Sequence, residues 1–370
     1  MKKGVLFIFV FFTTFGCSTS DEEESQPVNP TAPAEFLKDY ADFPIGNIVS
    51  AANLSSSSAT NSKFKTTLLN DYNSITAEND MKMYAIFRGP DDFDFSLGDA
   101  IVGYAIENGL RVHGHALVWH PSYAIPDWLE NFTGTDDEFE ALIKNYVKTT
   151  VQHFSEKKDI NGNSVVASWD VVNEYFDGSE IRSSLFTQRM GDNYVQKIFQ
   201  WAREADPEVK LFYNDYNIAG SPAKRQAILN MVKDFKANNI PIDGIGLQMH
   251  LNHDWPGSDL SIAIQEIADS GLLVHISELD VKVNYSDDVT GLTSERSVAQ
   301  KKQYQRASYY YTSLVPAEQQ FGITIWGMRD QDSWLYDGGS DWPLLYDANY
   351  NRKPSYTGFL NGLKGQNPDL

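Results

Sequence analysis

The chain has 370 residues, inside the range of about 200 to over 400 that one α/β barrel occupies and more than a single small domain needs. Hydrophobic residues make up 42% and charged ones 22%, with 15 prolines and 25 glycines, which excludes wholesale disorder and a collagen-like chain. With 50 acidic against 30 basic side chains the net charge is −20, so a phosphate backbone is repelled and no nucleic-acid partner is expected. A neutral ligand fits better, and the 13% of aromatic residues supply flat faces to bind one. Cys17 is the single cysteine, so no internal disulfide can form.

At the N-terminus, Lys2 and Lys3 precede an apolar run from Val5 to Phe12, the length of a signal-peptide core and too short to span a bilayer. Thr14-Phe15-Gly16-Cys17 follows and resembles a bacterial lipobox, in which cleavage leaves Cys17 as a lipid-bearing N-terminus. The alternative is an ordinary signal peptide with an incidental cysteine. Residues 1–16 are thus expected to be a lipoprotein signal. Residues 17–35 are expected to be a disordered acidic tether, because Ser18 to Pro27 is polar and has no apolar period. An acidic stretch just after such a cysteine also resembles the export signals of some Gram-negative surface lipoproteins. The expected location is the outer membrane at the cell surface, through a lipid on Cys17, and otherwise secreted or periplasmic.

From Phe36 onward, short β-branched or aromatic runs alternate with longer stretches of helical period. Eight strands are predicted: Pro44–Val49, Ser74–Ala77, Arg111–Val118, Val165–Val172, Lys210–Asn214, Gly244–Met249, Leu272–Ser277 and Gly322–Trp326. Between them lie stripes with one buried face, such as Phe139, Leu142, Ile143, Tyr146, Val147, Val151 and Phe154, or Ile228, Met231, Val232 and Phe235. Thr135 before acidic residues and Ser221-Pro222 read as helix starts, and Tyr356, Phe359, Leu360 and Leu363 supply a helix after the last strand. The Ser/Thr-rich stretch Asn53–Ser62 reads as an exposed loop. Strand and helix repeated eight times, with no internal linker, predict a single (β/α)8 TIM barrel over residues 36–366. A doubly wound open sheet shares this periodicity, but the G-x-G-x-x-G of a dinucleotide fold is missing after the first strand. No appended carbohydrate-binding module is expected, and the protein is expected to be a monomer.

Barrel chemistry sits at the C-terminal strand ends. Those ends carry Glu78 and Asn79, His115 and Trp119, Asn173 and Glu174, Asn214 and Asp215, Gln248 and His250, Glu278 and Asp280, and Trp326. Such groups are costly to bury unpaired, so their concentration points to function. Glu174 and Glu278 each end an apolar strand three βα units apart, which sets them across the barrel mouth. Two facing carboxyls suit glycoside hydrolysis, one protonating the departing oxygen and the other attacking the anomeric carbon or activating water. His113 and His115 share a strand face, and an H-x-H pair suits zinc, but zinc sites usually need a third ligand held near the pair. No metal or other cofactor is expected. Trp326 and Trp334 flank a polar loop rather than an apolar stripe, as indoles that stack on sugar rings do.

Seven ordered motifs now carry a resemblance: Thr76 to Lys82 (TAENDMK), Gly114 to His120 (GHALVWH), Trp169 to Glu174 (WDVVNE), Tyr213 to Tyr216 (YNDY), Gly246 to His250 (GLQMH), Ser277 to Asp280 (SELD), and Thr324 to Gly327 (TIWG) ending at Ser333-Trp334. The chain resembles glycoside hydrolase family 10, whose typical members are endo-β-1,4-xylanases, over roughly Phe36 to Leu363. The resemblance implies a retaining double displacement on xylan or xylo-oligosaccharides, with Glu174 as acid/base and Glu278 as nucleophile. It implies carboxyls about 5–5.5 Å apart, with a proton held on Glu174 near neutral pH and Glu278 ionised. His250, backed by Asp280, would hold Glu278 charged and oriented, and Asn173 would bond the 2-hydroxyl of the sugar at the cleavage point. Glu78, Asn79, Lys82, His115, Trp119, Gln248, Trp326 and Trp334 match glycone-side binding positions, and Tyr213 an aglycone-side contact. Selectivity for xylose over glucose is expected from walls near Trp326 and Trp334 with no room for a hydroxymethyl group. A β-1,4- or mixed-linkage glucanase, or a non-catalytic glycan-binding surface lipoprotein, are the alternatives. Arg329 departs from the family pattern; it either pairs with a neighbouring acid or reaches an acidic branch on decorated xylan.

Overall fold

Eight parallel strands close into a ring. They are β1 (Ile45–Val49), β2 (Ser74–Ala77), β3 (Arg111–Gly114), β4 (Val166–Asn173), β5 (Lys210–Asp215), β6 (Gly244–Leu247), β7 (Leu273–Lys282) and β8 (Gln320–Ile325). Each pairs with the next in chain order, and β8 returns to β1 with Ile45 opposite Ile323, so the computed structural model is a closed barrel and not an open sheet. It describes residue 1 and residues 35–370; Cys17 and nearly all of the expected signal and tether lie outside the described residues.

One long helix follows each strand: α1 (Ala59–Asp71), α2 (Ser96–Asn108), α3 (Asp136–Ser155), α4 (Tyr194–Ala205), α5 (Pro222–Ala237), α6 (Gly257–Ala268), α7 (Ser294–Leu314) and α8 (Pro354–Leu363). Their starts obey local chemistry. Thr135 and Glu138 form a capping box that satisfies orphan N–H groups at the head of α3, whose inward stripe Phe139, Ile143, Tyr146, Val147, Val151 and Phe154 is buried. At α5, Ser221 caps Lys224 N–H and Pro222 occupies the first turn, where no N–H is needed. Among the described residues, no helix is long and apolar enough to cross a membrane.

Two-sided burial explains the strand text: all five residues of β1 and all four of β2 are buried. The barrel interior is filled, with the His113 and His275 rings 4.7 Å apart and those of Phe212 and Phe321 4.5 Å apart. With the interior packed, a ligand cannot enter the barrel itself and meets the strands at their C-terminal rim. The ring is also tied where the segment before β1 meets the segments after β8. The buried Asp71 carboxylate accepts the Leu37 N–H at 3.1 Å and the hydroxyls of Tyr346 and Tyr356.

Three predicted boundaries are corrected. β3 stops at Gly114, because at His115 the chain leaves the ladder and the ring turns to Asp170; Val118 and Trp119 then pair separately with β4. β7 runs on to Lys282, since His250–Asn252 gives its far half a second partner. Asn53–Ser62 is not one loop but two helix ends, because Ser50 and Ser58 cap the helices Ala51–Ser55 and α1.

Candidate active site

The strand ends open onto one cleft of about 690 Å³, and both Glu174 and Glu278 line it. Glu278 lies where the register between β7 and β8 shifts, between Ile276 and Leu279, and its side chain is buried. Its Oε1 accepts from Asn214 Nδ2 at 2.7 Å, and its Oε2 lies 3.3 Å from His250 Nε2. Burial alone would raise the Glu278 pKa, but the hydrogen bond from His250 and the charges of His115 and His250 outweigh it and hold the carboxyl below its ordinary value. The group is therefore a preformed anion.

His250 reaches Glu278 from one nitrogen and Asp280 from the other, with Nδ1 2.9 Å from Asp280 Oδ2. Burial pushes the imidazole down, yet the Asp280 charge and hydrogen bond, joined by Glu278, raise it to about 10. It is an imidazolium between two carboxylates. Asp280 is itself fully buried and also accepts the Trp334 indole N–H at 2.9 Å, which tethers an otherwise exposed ring at the cleft edge.

Glu174 follows β4 with φ of 60°, a left-handed conformation that is uncommon outside glycine. The peptide is held on both sides: its N–H donates to Asn214 O at 2.9 Å and its carbonyl accepts from Arg182 Nε at 3.2 Å. The carboxylate accepts from Gln248 Nε2 at 3.0 Å, with Asn173 Nδ2 at 3.4 Å. Asn173 in turn accepts from Asn214 at 3.0 Å and from Gln248 at 3.2 Å. Asn214 therefore bonds both Glu278 and Asn173. That needs Gly246 beside it, where a Cβ would stand 2.3 Å from Asn214 Oδ1.

At the other end of the cleft, Lys82 is buried beneath the Trp119 ring, 4.8 Å from its centroid, and donates to Asn79 Oδ1 at 3.0 Å. Burial lowers the Lys82 pKa and raises that of Glu78, and each charge works against the shift of the other. His115 stands edge-on to Trp326 at 5.4 Å. Its Nδ1 lies 2.8 Å from Asp170, the same carboxylate that His113 Nε2 reaches at 3.0 Å, so the H-x-H pair converges on a buried acid.

All the residues predicted to act or bind line this cleft except Tyr213; Asp280 sits behind it as expected of a support. Tyr213 is a correction. It is fully buried, on the outer face of β5, where its hydroxyl donates to Asp215 and accepts the Tyr175 N–H at 3.1 Å. Tyr216 lines the cleft instead. Its position was legible, because it lies one residue past the end of β5 and two from the inward-facing Asn214, and so continues the strand's alternation. His120, which follows the H-x-H pair in sequence, lines the cleft too, and Tyr123, Arg182, Asn217 and Trp255 do so without having been singled out. Arg329 does not: it forks onto Asp332 at 2.9 and 2.6 Å and stacks on Tyr350 at 4.8 Å, the neighbouring-acid alternative.

The family model described as Glycosyl hydrolase family 10 matches residues 35–362. The chain is 40% identical to "Endo-beta-1,4-xylanase Xyn10C" of Cellvibrio japonicus, over 90% of this chain and 59% of that protein. It is 36% identical to "Endo-1,4-beta-xylanase A" of Cellvibrio japonicus, over 89% of this chain and 57% of the relative, so it spans less than three-fifths of either length. It is 33% identical to a "Beta-1,4-xylanase" of Dictyoglomus thermophilum, over 96% of this chain and 97% of that one. A mutant of Xylanase10C from Cellvibrio japonicus, solved with xylopentaose, superposes with a TM-score of 0.83 at 38% identity, covering 90% of this chain and 70% of the other. The chain belongs to glycosyl hydrolase family 10.

Proposed function

We propose that the protein hydrolyses internal β-1,4 bonds of xylan with retention of configuration. The observation that carries this reading is the pair of glutamates in one cleft, with Asn214 bonded to Glu278 and to Asn173, the neighbour of Glu174. The xylanases to which the chain is similar support the substrate class. Glu174 protonates the glycosidic oxygen while Glu278 attacks the anomeric carbon; the carbon–oxygen bond breaks and a glycosyl ester forms on Glu278. Glu174, now a carboxylate, takes a proton from water, whose oxygen displaces Glu278 and restores both groups. Asn173 and Gln248, at the junction of the two acids, are placed to bond the hydroxyls of the reacting sugar.

The cleft walls formed by Trp326 and the Asp280-tethered Trp334 support a pentose over a hexose. Reducing sugar released from xylan, cellulose and mixed-linkage glucan tests this. Wild type is expected to act on xylan well above the glucans and Glu278→Gln to be inactive, whereas equal action on the glucans contradicts the specificity. Lipid attachment at Cys17 is part of the same proposal and rests on the lipobox-like Thr14 to Cys17. Cys17→Ala is expected to move the protein from the membrane to the soluble fraction; unchanged fractionation contradicts it.

A further inference from the structure

Helix α7 turns a polar face to the barrel. Gln300, Gln303 and Tyr304 are fully buried on it, where a face built for packing alone would carry leucine or methionine. Each glutamine spends its amide N–H groups on two carbonyls from the cleft rim. Gln300 Nε2 donates to Val281 O at 3.0 Å and to Trp342 O at 2.7 Å. Gln303 Nε2 donates to the carbonyls of His253 and Trp255, the latter a cleft residue. Neither side-chain oxygen has a hydrogen-bond partner among the described residues. A buried amide left half-paired is costly, so packing does not account for either glutamine.

The carbonyls that Gln300 joins lie beside Asp280 and Trp334 in the chain. Val281 follows Asp280 in β7, and Trp342 closes the loop that carries Trp334. From the cleft side the same segments meet again, because Asp280 Oδ2 accepts from both Trp334 Nε1 and His250 Nδ1, each at 2.9 Å. One oxygen thus carries both bonds, while Oδ1 is buried without a partner among the described residues. A small turn of the Asp280 side chain would break both at once. Arg296 and Tyr304, about one turn to either side of Gln300, bond Val283 O and Pro343 O and set the frame. Gln300 bonds the residue next to Asp280.

We infer that Gln300 is a positioning residue of the proposed reaction, which fixes the β7 backbone so that Asp280 can bond His250 and Trp334 together. The inference rests on the xylanase reading, in which His250 keeps Glu278 an anion. The charged groups around Glu278 are His250, His115, Asp170 and Lys82, with Glu174 in the same cleft. Of these Gln300 acts on His250, by way of Asp280. With Asp280 loosened, the imidazolium is held less firmly and its hydrogen bond to Glu278 weakens. The Glu278 pKa then rises toward the value that burial alone would give.

Gln300→Met keeps the length of the side chain and removes both donors. Its kcat/KM on xylohexaose is measured against pH beside Tyr311→Phe, which breaks the bonds of the same helix to Val274 and Gly322. Urea unfolding of each variant gives the loss of stability. Gln300→Met is expected to move the acid limb up by about half a pH unit, about threefold in kcat/KM on its acid side, with little change near neutrality. Tyr311→Phe is expected to lose stability with its limb in place. Added to His250→Asn, Gln300→Met is expected to shift the limb no further, since both act on one link. Should Gln300→Met not fold, Gln300→Asn, which keeps the amide but not its reach, is expected to shift the limb in the same direction. A folded Gln300 variant with the wild-type limb, an equal shift in Tyr311→Phe, or additive shifts in the double variant would overturn the positioning role. Wild type inert on xylohexaose would instead sink the parent reading.

Discussion

His250 Nε2 lies 3.3 Å from Glu278 Oε2, while its Nδ1 faces Asp280 at 2.9 Å. The cation is shared, so the ionisation of Glu278, the proposed nucleophile, depends on a group that does not itself attack. His250 is raised to about 10 and stays charged through the neutral range, and Glu278 is lowered. Replacing His250 by Asn removes the charge, leaves burial uncompensated, and lets the Glu278 pKa rise. The acid limb of the kcat/KM profile, where the nucleophile gains its proton, is expected to move to higher pH. The variant should therefore lose proportionally more activity at mildly acidic pH than near neutrality. An acid limb that stays in place contradicts this coupling.

Tyr213 acts on the opposite carboxyl without touching the cleft. Its hydroxyl takes the N–H of Tyr175, the residue that follows Glu174, and so fixes the peptide next to one with φ of 60°. Tyr213→Phe is expected to lower kcat on xylan by about tenfold, less than the roughly 10²–10⁴-fold that proton transfer from a placed side chain contributes, because the acid is misplaced rather than removed. A dinitrophenyl xylobioside, whose leaving group departs without a proton, should be hydrolysed nearly as fast as by wild type. Equal losses on both substrates would mean that Tyr213 serves only the fold.

Asp71 lies far from the chemistry and should behave accordingly. Asp71→Ala strands the buried hydroxyls of Tyr346 and Tyr356 and the N–H of Leu37. At about 1–3 kcal/mol for each buried group left unpaired, the expected loss is about 3 kcal/mol in denaturant unfolding, with kcat of the folded enzyme unchanged. A variant with normal stability would show that these groups find other partners.

Much of the site was legible because barrel chemistry falls at strand ends, and short motifs mark those ends. Glu78, Asn173, Glu174, Gln248 and His250 could be named from strand text alone, whereas Lys82 came only from the family resemblance. The errors have local causes. Tyr213 and Tyr216 share one motif, and only the alternation set by the inward Asn214 tells them apart. The serines around Asn53–Ser62 were helix caps, which resemble loop residues because the same hydroxyls serve both. Arg182 and Trp255 come from irregular segments with no period to read. The register shift that aims Glu278, and the extension of β7 against His250–Asn252, arise from pairing between distant parts of the chain.

In the proposed reaction Glu278 bonds directly to the sugar while Glu174 handles the proton. Following fresh cleavage of a xylo-oligosaccharide by proton NMR tests it most directly. The account requires the new reducing end to appear first as the β-anomer and to mutarotate only afterwards. Initial release of the α-anomer would mean that water attacks in a single displacement, and the roles assigned to both glutamates would fail.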